Sequence, residues 1–159
     1  MATHQRNIKE QYHHLKGEDL SAKRILVITA EWNKELTDNL TKGCIDTLLD
    51  QGVNASGISQ IQVPGAVELV YAAAKHFDAK VYDAIVVIGC VIRGETAHFD
   101  YVCNSVTDGV TALNLRGEIP VIFCVLTDDT IEQSRARSGG SLGNKGDEAA
   151  LAALKMSLI

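Results

Sequence analysis

Short β-branched runs alternate with amphipathic stretches along the whole chain. Four runs predict β-strands: Arg24 to Thr29, Ile58 to Val63, Ala84 to Ile92 and Pro120 to Leu126. The third and fourth are nearly continuous in apolar residues, which is typical of strands buried on both faces.

Helical periodicity fills the intervals between these strands. Asn33 is the predicted N-cap of a first helix that Gly52 closes, with apolar residues four apart at Leu36, Leu40, Cys44 and Leu48. Pro64 fits the first turn of a second helix, which is predicted to run through Val67, Val70, Ala74 and Phe77.

Three more helices follow. The third covers Phe99 to Leu115, Asp129 and Glu132 form the capping box of a short fourth, and Asn144 opens a fifth that ends at Ile159.

This alternation predicts an α/β fold with a four-stranded parallel sheet between two helical layers, a flavodoxin-like three-layer α/β/α sandwich. Neither an internal repeat nor a linker divides the chain, so a single domain is expected over residues 23–159. Residues 1–22 are expected to form an N-terminal arm, either a disordered tail or a segment that adds to a neighbouring subunit.

Composition narrows the class of protein. The 159 residues are 46% hydrophobic and carry a formal net charge of -5 without a basic stripe, which argues against nucleic acid as a partner. The longest apolar run, Ala84 to Ile92, is half of the roughly 18 residues that a membrane span needs. Because the first twenty residues are polar and charged rather than signal-like, a cytoplasmic protein with no membrane partner is expected.

The four cysteines support that expectation. Cys44, Cys90, Cys103 and Cys124 fall inside apolar stretches with no CxxC spacing, which favours buried apolar residues over a metal site. His13 and His14 could form an adventitious metal patch, but nothing else in the sequence supports a metal centre.

In an open parallel sheet, ligands bind outside the carboxyl ends of the strands, and unusual residues follow each predicted strand here. Trp32 follows the first strand and either covers the sheet edge or offers a flat platform for a planar ligand. After the second strand, Pro64 and Gly65 open a helix with free backbone N–H groups. Glu68 then either complements the helix dipole or accepts hydrogen bonds from ligand hydroxyls.

The third and fourth strands are followed by groups suited to an anion. Gly94 and Thr96 precede a helix start that can hold phosphate, and His98 is either structural or a general acid and base. Arg135 and Arg137 either complement a helix dipole or grip a phosphate. A Walker or GxGxxG pattern does not follow the first strand, so these residues predict a phosphate-binding site without a cofactor and leave the substrate open.

Four segments carry a specific resemblance. Trp32-Asn33, residues 63–68 (VPGAVE), residues 89–103 (GCVIRGETAHFDYVC) and residues 143–146 (GNKG) together resemble the lumazine synthase family. Residues 127–133 (TDDTIEQ) strengthen the likeness, which runs with matching spacing from Arg24 to Ile159.

The resemblance implies an enzyme without cofactor or metal that makes 6,7-dimethyl-8-ribityllumazine in the penultimate step of riboflavin biosynthesis. Its substrates would be 5-amino-6-(D-ribitylamino)uracil and 3,4-dihydroxy-2-butanone 4-phosphate. His98 would transfer protons, and Glu95, Thr96 and Arg137 would hold the phosphate. The remaining implied site residues bind the pyrimidine and its ribityl chain: Trp32, Asn33, Ala66, Val67, Glu68, Cys90, Val91, Ile92, Lys145 and, from a neighbouring subunit, Phe123.

The resemblance also implies a pentamer, and in some members an icosahedral shell of twelve pentamers (a 60-mer). The short loop between the fourth and fifth helices resembles the shell-forming kind, and riboflavin synthase is an implied candidate partner. Four positions depart from the family pattern: Val67 replaces an aromatic residue, Leu69-Val70 replaces Ile-Pro, and Ser141 replaces a lysine.

Two alternatives stay open on the sequence alone. One is a phosphosugar or flavin binder on the same layout, which does not explain Trp32, Glu68 and His98 together. The other is a shell protein that has lost catalysis, which the departures at Val67 and Ser141 allow.

Overall fold

The computed structural model of the protein describes Leu15 and residues 17–159. Four parallel strands form the main sheet in the order β2-β1-β3-β4. Their bounds are β1 (Ile25–Ala30), β2 (Ile58–Val63), β3 (Ala84–Ile92) and β4 (Val121–Asp128). The predicted four-stranded parallel sheet is therefore confirmed, with β1 one residue later than expected and β4 ending two residues later.

Five helices surround the sheet, as predicted. They are α1 (Lys34–Asp50), α2 (Ala66–Phe77), α3 (His98–Leu115), α4 (Ile131–Arg137) and α5 (Lys145–Met156). A short 3-10 turn at Ala55–Gly57 precedes β2, and the glycine-rich segment between α4 and α5 forms an antiparallel hairpin of β5 (Ser138–Gly140) and β6 (Gly143–Asn144). The sequence predicts only a short loop for this segment.

The two faces of the sheet carry separate apolar cores, which confirms helices on both sides. One core joins Val27 and Val86 to Leu40 of α1 and Leu151 of α5. The other joins Ile28 and Val87 to residues of α2 and α3. The central strands β1 and β3 are covered on both faces, which explains their continuous apolar sequence.

Glycine permits a close helix contact in each layer. A Cβ at Gly146 would collide with the carbonyl oxygen of Leu40, so α5 approaches the backbone of α1 directly. On the other face, a Cβ at Gly109 of α3 would collide with the side chain of Val70 on α2. In each helical layer, the close contact therefore requires glycine, because a residue with a Cβ would collide with the neighbouring helix.

The predicted course of α2 through Val67, Val70, Ala74 and Phe77 is confirmed, but these four residues do not all lie on its buried face. Its buried residues are Leu69, Ala72, Ala73 and Phe77, whereas Val67 is 41% exposed. The helix begins at Ala66 with Gly65 as its N-cap, so Pro64 lies outside its first turn. Many small apolar residues in α2 make several faces look alike in sequence, and packing against the sheet selects one.

Two helix ends also differ from expectation. The capping box of α4 is formed by Thr130 and Gln133 rather than by Asp129 and Glu132, because the Gln133 side chain reaches back to the backbone of Thr130. Helix α5 ends at Met156 instead of Ile159. The carbonyl of Ser157 just beyond it accepts a hydrogen bond from Lys23, which ties this end of the chain to the start of β1.

The cysteines are free thiols, three of them buried and Cys103 partly exposed. Burial raises the pKa of Cys44 to about 12, so this thiol stays protonated. Over Leu15 and residues 17–159, three or more His, Cys, Asp or Glu side chains nowhere group in an arrangement suited to a metal ion. In the same part of the chain, helices of the length and apolarity needed to cross a membrane are absent.

Candidate active site

The loops that follow the four parallel strands form one connected rim at the carboxyl edge of the sheet. The backbone N–H of Glu31, after β1, donates to the carbonyl of Val63 at the end of β2 (2.8 Å). Across the sheet, the N–H of Arg93, after β3, donates to the carbonyl of Asp128 at the end of β4 (3.0 Å). Residues far apart in sequence are therefore fixed side by side along this rim.

Asn33 links the middle of the rim. Its side-chain amide donates to the carbonyl of Cys90 on β3 at 2.8 Å, and its backbone is left-handed with φ of 58°. Asn33 occupies the predicted N-cap position of α1, but its side chain makes no cap hydrogen bond, so the prediction that it caps the helix is wrong. The amide ties the loop after β1 to β3 instead.

Trp32 and Glu68 flank Gly65 on the β1 and β2 side of the rim. A Cβ at Gly65 would lie 2.9 Å from the Glu68 Oε2 atom and 3.7 Å from the Trp32 Cδ1 atom. The Trp32 side chain is 73% exposed, which is too open for a residue that covers the sheet edge. An exposed indole beside an exposed carboxylate suits a planar ligand that carries hydroxyl groups.

The end of β3 offers backbone groups more than side chains. Cys90 is buried, and Val91 and Ile92 are half-buried. Burial raises the pKa of the Cys90 thiol, which donates to the hydroxyl of Ser134 at 3.4 Å.

On the β2 side, Ala66 is half-buried and Val67 is exposed at the first turn of α2.

The loop after β3 presents an exposed polar set at the start of α3. Glu95, Thr96 and His98 are all exposed, and His98 is the first residue of the helix. The backbone N–H of His98 donates to the Thr96 hydroxyl at 3.3 Å. Helix N-termini carry N–H donors and partial positive charge, so this position suits an anion beside the imidazole.

Arg93 fixes the base of that loop. Its guanidinium donates to Asp129 (2.8 Å) and Asp100 (3.1 Å) and lies 4.1 Å from the centroid of the Phe99 ring. These carboxylates, Asp100 above all, raise the pKa of the guanidinium. Because its donors face protein carboxylates, Arg93 holds the loop in place rather than offering a free phosphate contact.

Arg137 turns back from the end of α4 toward the end of β4. Its Nη1 donates to the carbonyl of Gln133 (2.9 Å) and lies 3.8 Å from Asp128 Oδ1. Arg135 on the same helix pairs instead with Glu35 in the first turn of α1 at 3.2 Å. The two arginines that looked equivalent in sequence therefore differ, because the guanidinium of Arg135 is engaged by Glu35 whereas that of Arg137 lies against the end of β4.

Two site residues named by the resemblance stand apart from the rest within one protomer. Phe123 is the third residue of β4, an edge strand, and its side chain is 39% exposed. Lys145 opens α5 on the opposite face of the sheet and binds both carboxylate oxygens of Glu148, at 2.6 and 2.7 Å.

Sequence reasoning missed several polar residues that position the others. Arg93 was part of a recognised segment without a role, and Asp128, Ser134 and Glu148 were not singled out. Arg93 and Asp128 could have been recognised because each is a charged residue at the end of an apolar strand, and strand ends form the rim. Nothing in the local pattern marks Ser134, which is buried only through tertiary packing.

Comparison with known proteins gives a consistent result. A model of the family described as 6,7-dimethyl-8-ribityllumazine synthase matches residues 22–159. The protein of that name from Parabacteroides distasonis is 48% identical over 156 residues, which cover 98% of this chain and 97% of the relative. The one from Porphyromonas gingivalis is 52% identical over 141 residues, 89% of this chain and 86% of the relative.

Proposed function

The chain belongs to the 6,7-dimethyl-8-ribityllumazine synthase family, and from that premise we propose how its residues carry out the reaction. The enzyme is a transferase of riboflavin biosynthesis that condenses 5-amino-6-(D-ribitylamino)uracil with 3,4-dihydroxy-2-butanone 4-phosphate. The product is 6,7-dimethyl-8-ribityllumazine, and phosphate and water are released. These steps exchange only water, protons and phosphate between the substrates and solvent, so the proposal includes no redox cofactor.

One observation carries the assignment of roles: two chemically different sets of polar and aromatic groups share a single sheet edge. An indole and a carboxylate follow β1 and β2, whereas a hydroxyl, an imidazole and a guanidinium follow β3 and β4. Such a division suits two substrates, one planar and hydroxylated and the other phosphorylated. Holding two reactants in register lowers the barrier by up to roughly 7–11 kcal/mol.

In the first half of the site, Trp32 stacks on the pyrimidine and Glu68 accepts hydrogen bonds from the ribityl hydroxyls. Gly65 supports this arrangement because a larger residue would meet both side chains. The other contacts to this substrate come from the ends of strands and the start of α2, at Asn33, Ala66, Val67, Cys90, Val91 and Ile92.

In the second half, the phosphate binds at the start of α3. The backbone N–H groups near Glu95 and Thr96, the Thr96 hydroxyl and the Arg137 guanidinium are its donors. Arginine binds phosphate through paired N–H groups, and charge-assisted hydrogen bonds of this kind are about twice as strong as neutral ones.

His98 then moves the protons. The ring amine attacks the ketone, and loss of water gives an imine. Removal of a proton next to the imine allows the phosphate group to leave, and ring closure expels a second water. A positioned imidazole accelerates such transfers by about 10²–10⁴-fold. Its place beside the phosphate donors supports a role in the elimination step.

The site is completed by a second subunit. Phe123 of a neighbouring subunit packs beside the pyrimidine, with Lys145 near the same pocket, in a homopentamer that also assembles as an icosahedral shell. Large exposed apolar side chains support such an interface, namely Tyr71, Tyr101 and Leu115 with Phe123 itself. The mass from light scattering in shell-favouring buffer tests this, and a single pentamer there contradicts the shell.

Further parts of the proposal concern the arm, a partner and the compartment. The predicted arm of residues 1–22 lies mostly outside the described residues, and its described part places Leu15 and Leu20 in the core beside Leu40 and Leu151. Riboflavin synthase is the proposed protein partner. A cytoplasmic location is supported by the four free thiols, which a reducing compartment preserves.

The direct test is absorbance in the lumazine band after the purified protein is mixed with both substrates. We expect product far above the uncatalysed condensation, with a lower rate for His98→Ala. A rate equal to the spontaneous one contradicts the proposed activity and favours a binding or shell protein on the same fold.

A further inference from the structure

Asp128, the last residue of β4, touches both elements of the proposed phosphate subsite. We propose that Asp128 is a positioning residue that orients Arg137 against the loop following β3. The inference rests on the proposed function and adds to it a residue that the sequence did not single out.

The backbone of Asp128 fixes the loop. Its carbonyl accepts the N–H of Arg93 at 3.0 Å, and Asp128 lies opposite Ile92 in the register of β3 and β4. The segment that carries Thr96 and His98 therefore leaves the sheet from a point that is bonded to Asp128.

The carboxylate of Asp128 faces Arg137 and is itself held. Oδ1 lies 3.8 Å from Arg137 Nη1, while Oδ2 accepts the Ser134 hydroxyl at 2.7 Å. Ser134 is fully buried and also accepts the thiol of Cys90 at 3.4 Å. The Asp128 side chain is only 11% exposed, so its direction is set by packing and not by solvent.

This contact leaves Arg137 oriented and still able to bind an anion. Both of its protein acceptors within the described residues, Gln133 and Asp128, contact the same nitrogen, Nη1. A guanidinium has five N–H donors in a fixed planar fork. The edge formed by Nε and Nη2 therefore remains for two phosphate oxygens.

Replacing Asp128 by asparagine separates an electrostatic positioning role from a space-filling role, because it removes the charge and keeps the volume. Asparagine at this site keeps an oxygen for the Ser134 hydroxyl and nearly the same volume, but it loses the attraction for the guanidinium. Arg137 then samples more rotamers, and the phosphate must order it on binding. The effect appears in phosphate binding and not in pyrimidine binding.

The test compares Asp128→Asn with Asp78→Asn, an exposed carboxylate that pairs with Arg116 at the other end of the sheet. We measure the KM of each substrate and the inhibition constant of inorganic phosphate. We expect Asp128→Asn to raise the KM of the butanone phosphate and the phosphate inhibition constant by about fivefold, an effect typical of residues in contact. The pyrimidine KM of this variant and all constants of Asp78→Asn stay within about twofold of the unmodified enzyme.

Combining Asp128→Asn with Arg137→Ala separates positioning from a general structural role. If Asp128 acts through Arg137, the double variant binds phosphate no worse than Arg137→Ala alone. Should Asp128→Asn fail to fold, Ser134→Ala releases the same carboxylate and is expected to raise the phosphate constants about twofold.

Each contrary outcome identifies what has failed. Equal changes in both substrate constants, or full additivity in the double variant, overturn the positioning role while the condensation stands. Absence of condensation by the unmodified enzyme overturns the proposed function and this inference with it.

Discussion

Two arginines at opposite ends of the sheet have nearly the same surroundings. At the carboxyl edge, Arg93 lies over the Phe99 ring at 4.1 Å and pairs with Asp100 and Asp129. At the amino edge, Arg116 lies over the Phe77 ring at 4.6 Å and pairs with carboxylates of Asp78 and Glu118. Only the first cluster borders the proposed active site.

The helices explain the difference. Because α1, α2 and α3 each follow a parallel strand directly, they begin at the carboxyl edge and end at the amino edge. Helix starts leave N–H donors and positive potential, whereas helix ends leave carbonyls. A phosphate is therefore attracted to the Arg93 end and not to the Arg116 end. An arginine cluster alone does not identify a functional site, and four pairs of substitutions test this comparison.

The largest effect is expected at Arg137. Arg137→Ala removes the guanidinium from the phosphate, and kcat/KM for the butanone phosphate should fall by about 10³-fold. Steady-state kinetics with the other substrate saturating measures it. Arg135→Ala is the control, because this arginine pairs with Glu35 and should change the constant by less than about twofold.

The next effect is expected at His98. His98→Ala should lower kcat by about 10²-fold without abolishing turnover, because alignment of the substrates persists without the imidazole. Single-turnover absorbance measures it, and His76→Ala on α2 is the matched control. Comparable single-digit losses in kcat/KM for His98→Ala and Arg137→Ala would contradict the ranking of phosphate binding above proton transfer.

A smaller effect is expected at Trp32. Trp32→Ala should raise the KM of the pyrimidine about tenfold through lost stacking and apolar contact, with the butanone phosphate KM unchanged. Trp32→Phe should recover most of the affinity, since a ring remains. If the two substitutions give the same constants, the indole is not a stacking platform.

The smallest effects come from the two arginine clusters themselves. Arg93→Ala should lower kcat/KM about fivefold, because the loop that carries Thr96 and His98 loses its anchor. Arg116→Ala should leave kcat/KM unchanged, while both variants lower the melting temperature slightly and by similar amounts. Equal kinetic losses in the two variants would show that the edges of the sheet do not differ in the way proposed.

The fold was largely predictable because its elements are marked locally. The β-branched runs of β1 to β4 and the spacing of Leu36, Leu40, Cys44 and Leu48 specify strands and a helix without reference to distant residues. The face of α2 was not predictable in this way. Its small apolar residues satisfy more than one stripe, and contact with the sheet and with Gly109 decides which is buried.

The candidate site likewise contains some features that are marked locally in the sequence and others that depend on tertiary contacts. The segments after the strands identified Trp32, Glu68, Thr96, His98 and Arg137 as candidates, and the roles of these residues remain predictions for the kinetics to decide. The contacts between polar residues were hidden, since Asn33 meets Cys90 across 57 positions and Arg135 meets Glu35 across 100. The hydrogen-bond partner of a polar side chain is not encoded in its neighbours.

The sequence by itself determined the α/β class, the parallel sheet and the family to which the chain belongs, and it predicted the edge at which the site is proposed. Tertiary structure alone decided which carboxylate each arginine meets, that Asn33 ties the loop after β1 to β3, and that Asp128 lies between Ser134 and Arg137. Periodicity and capping are local properties that a single segment expresses. Orientation of a charged side chain depends on acceptors supplied by other segments, and these are present only when the sheet has formed.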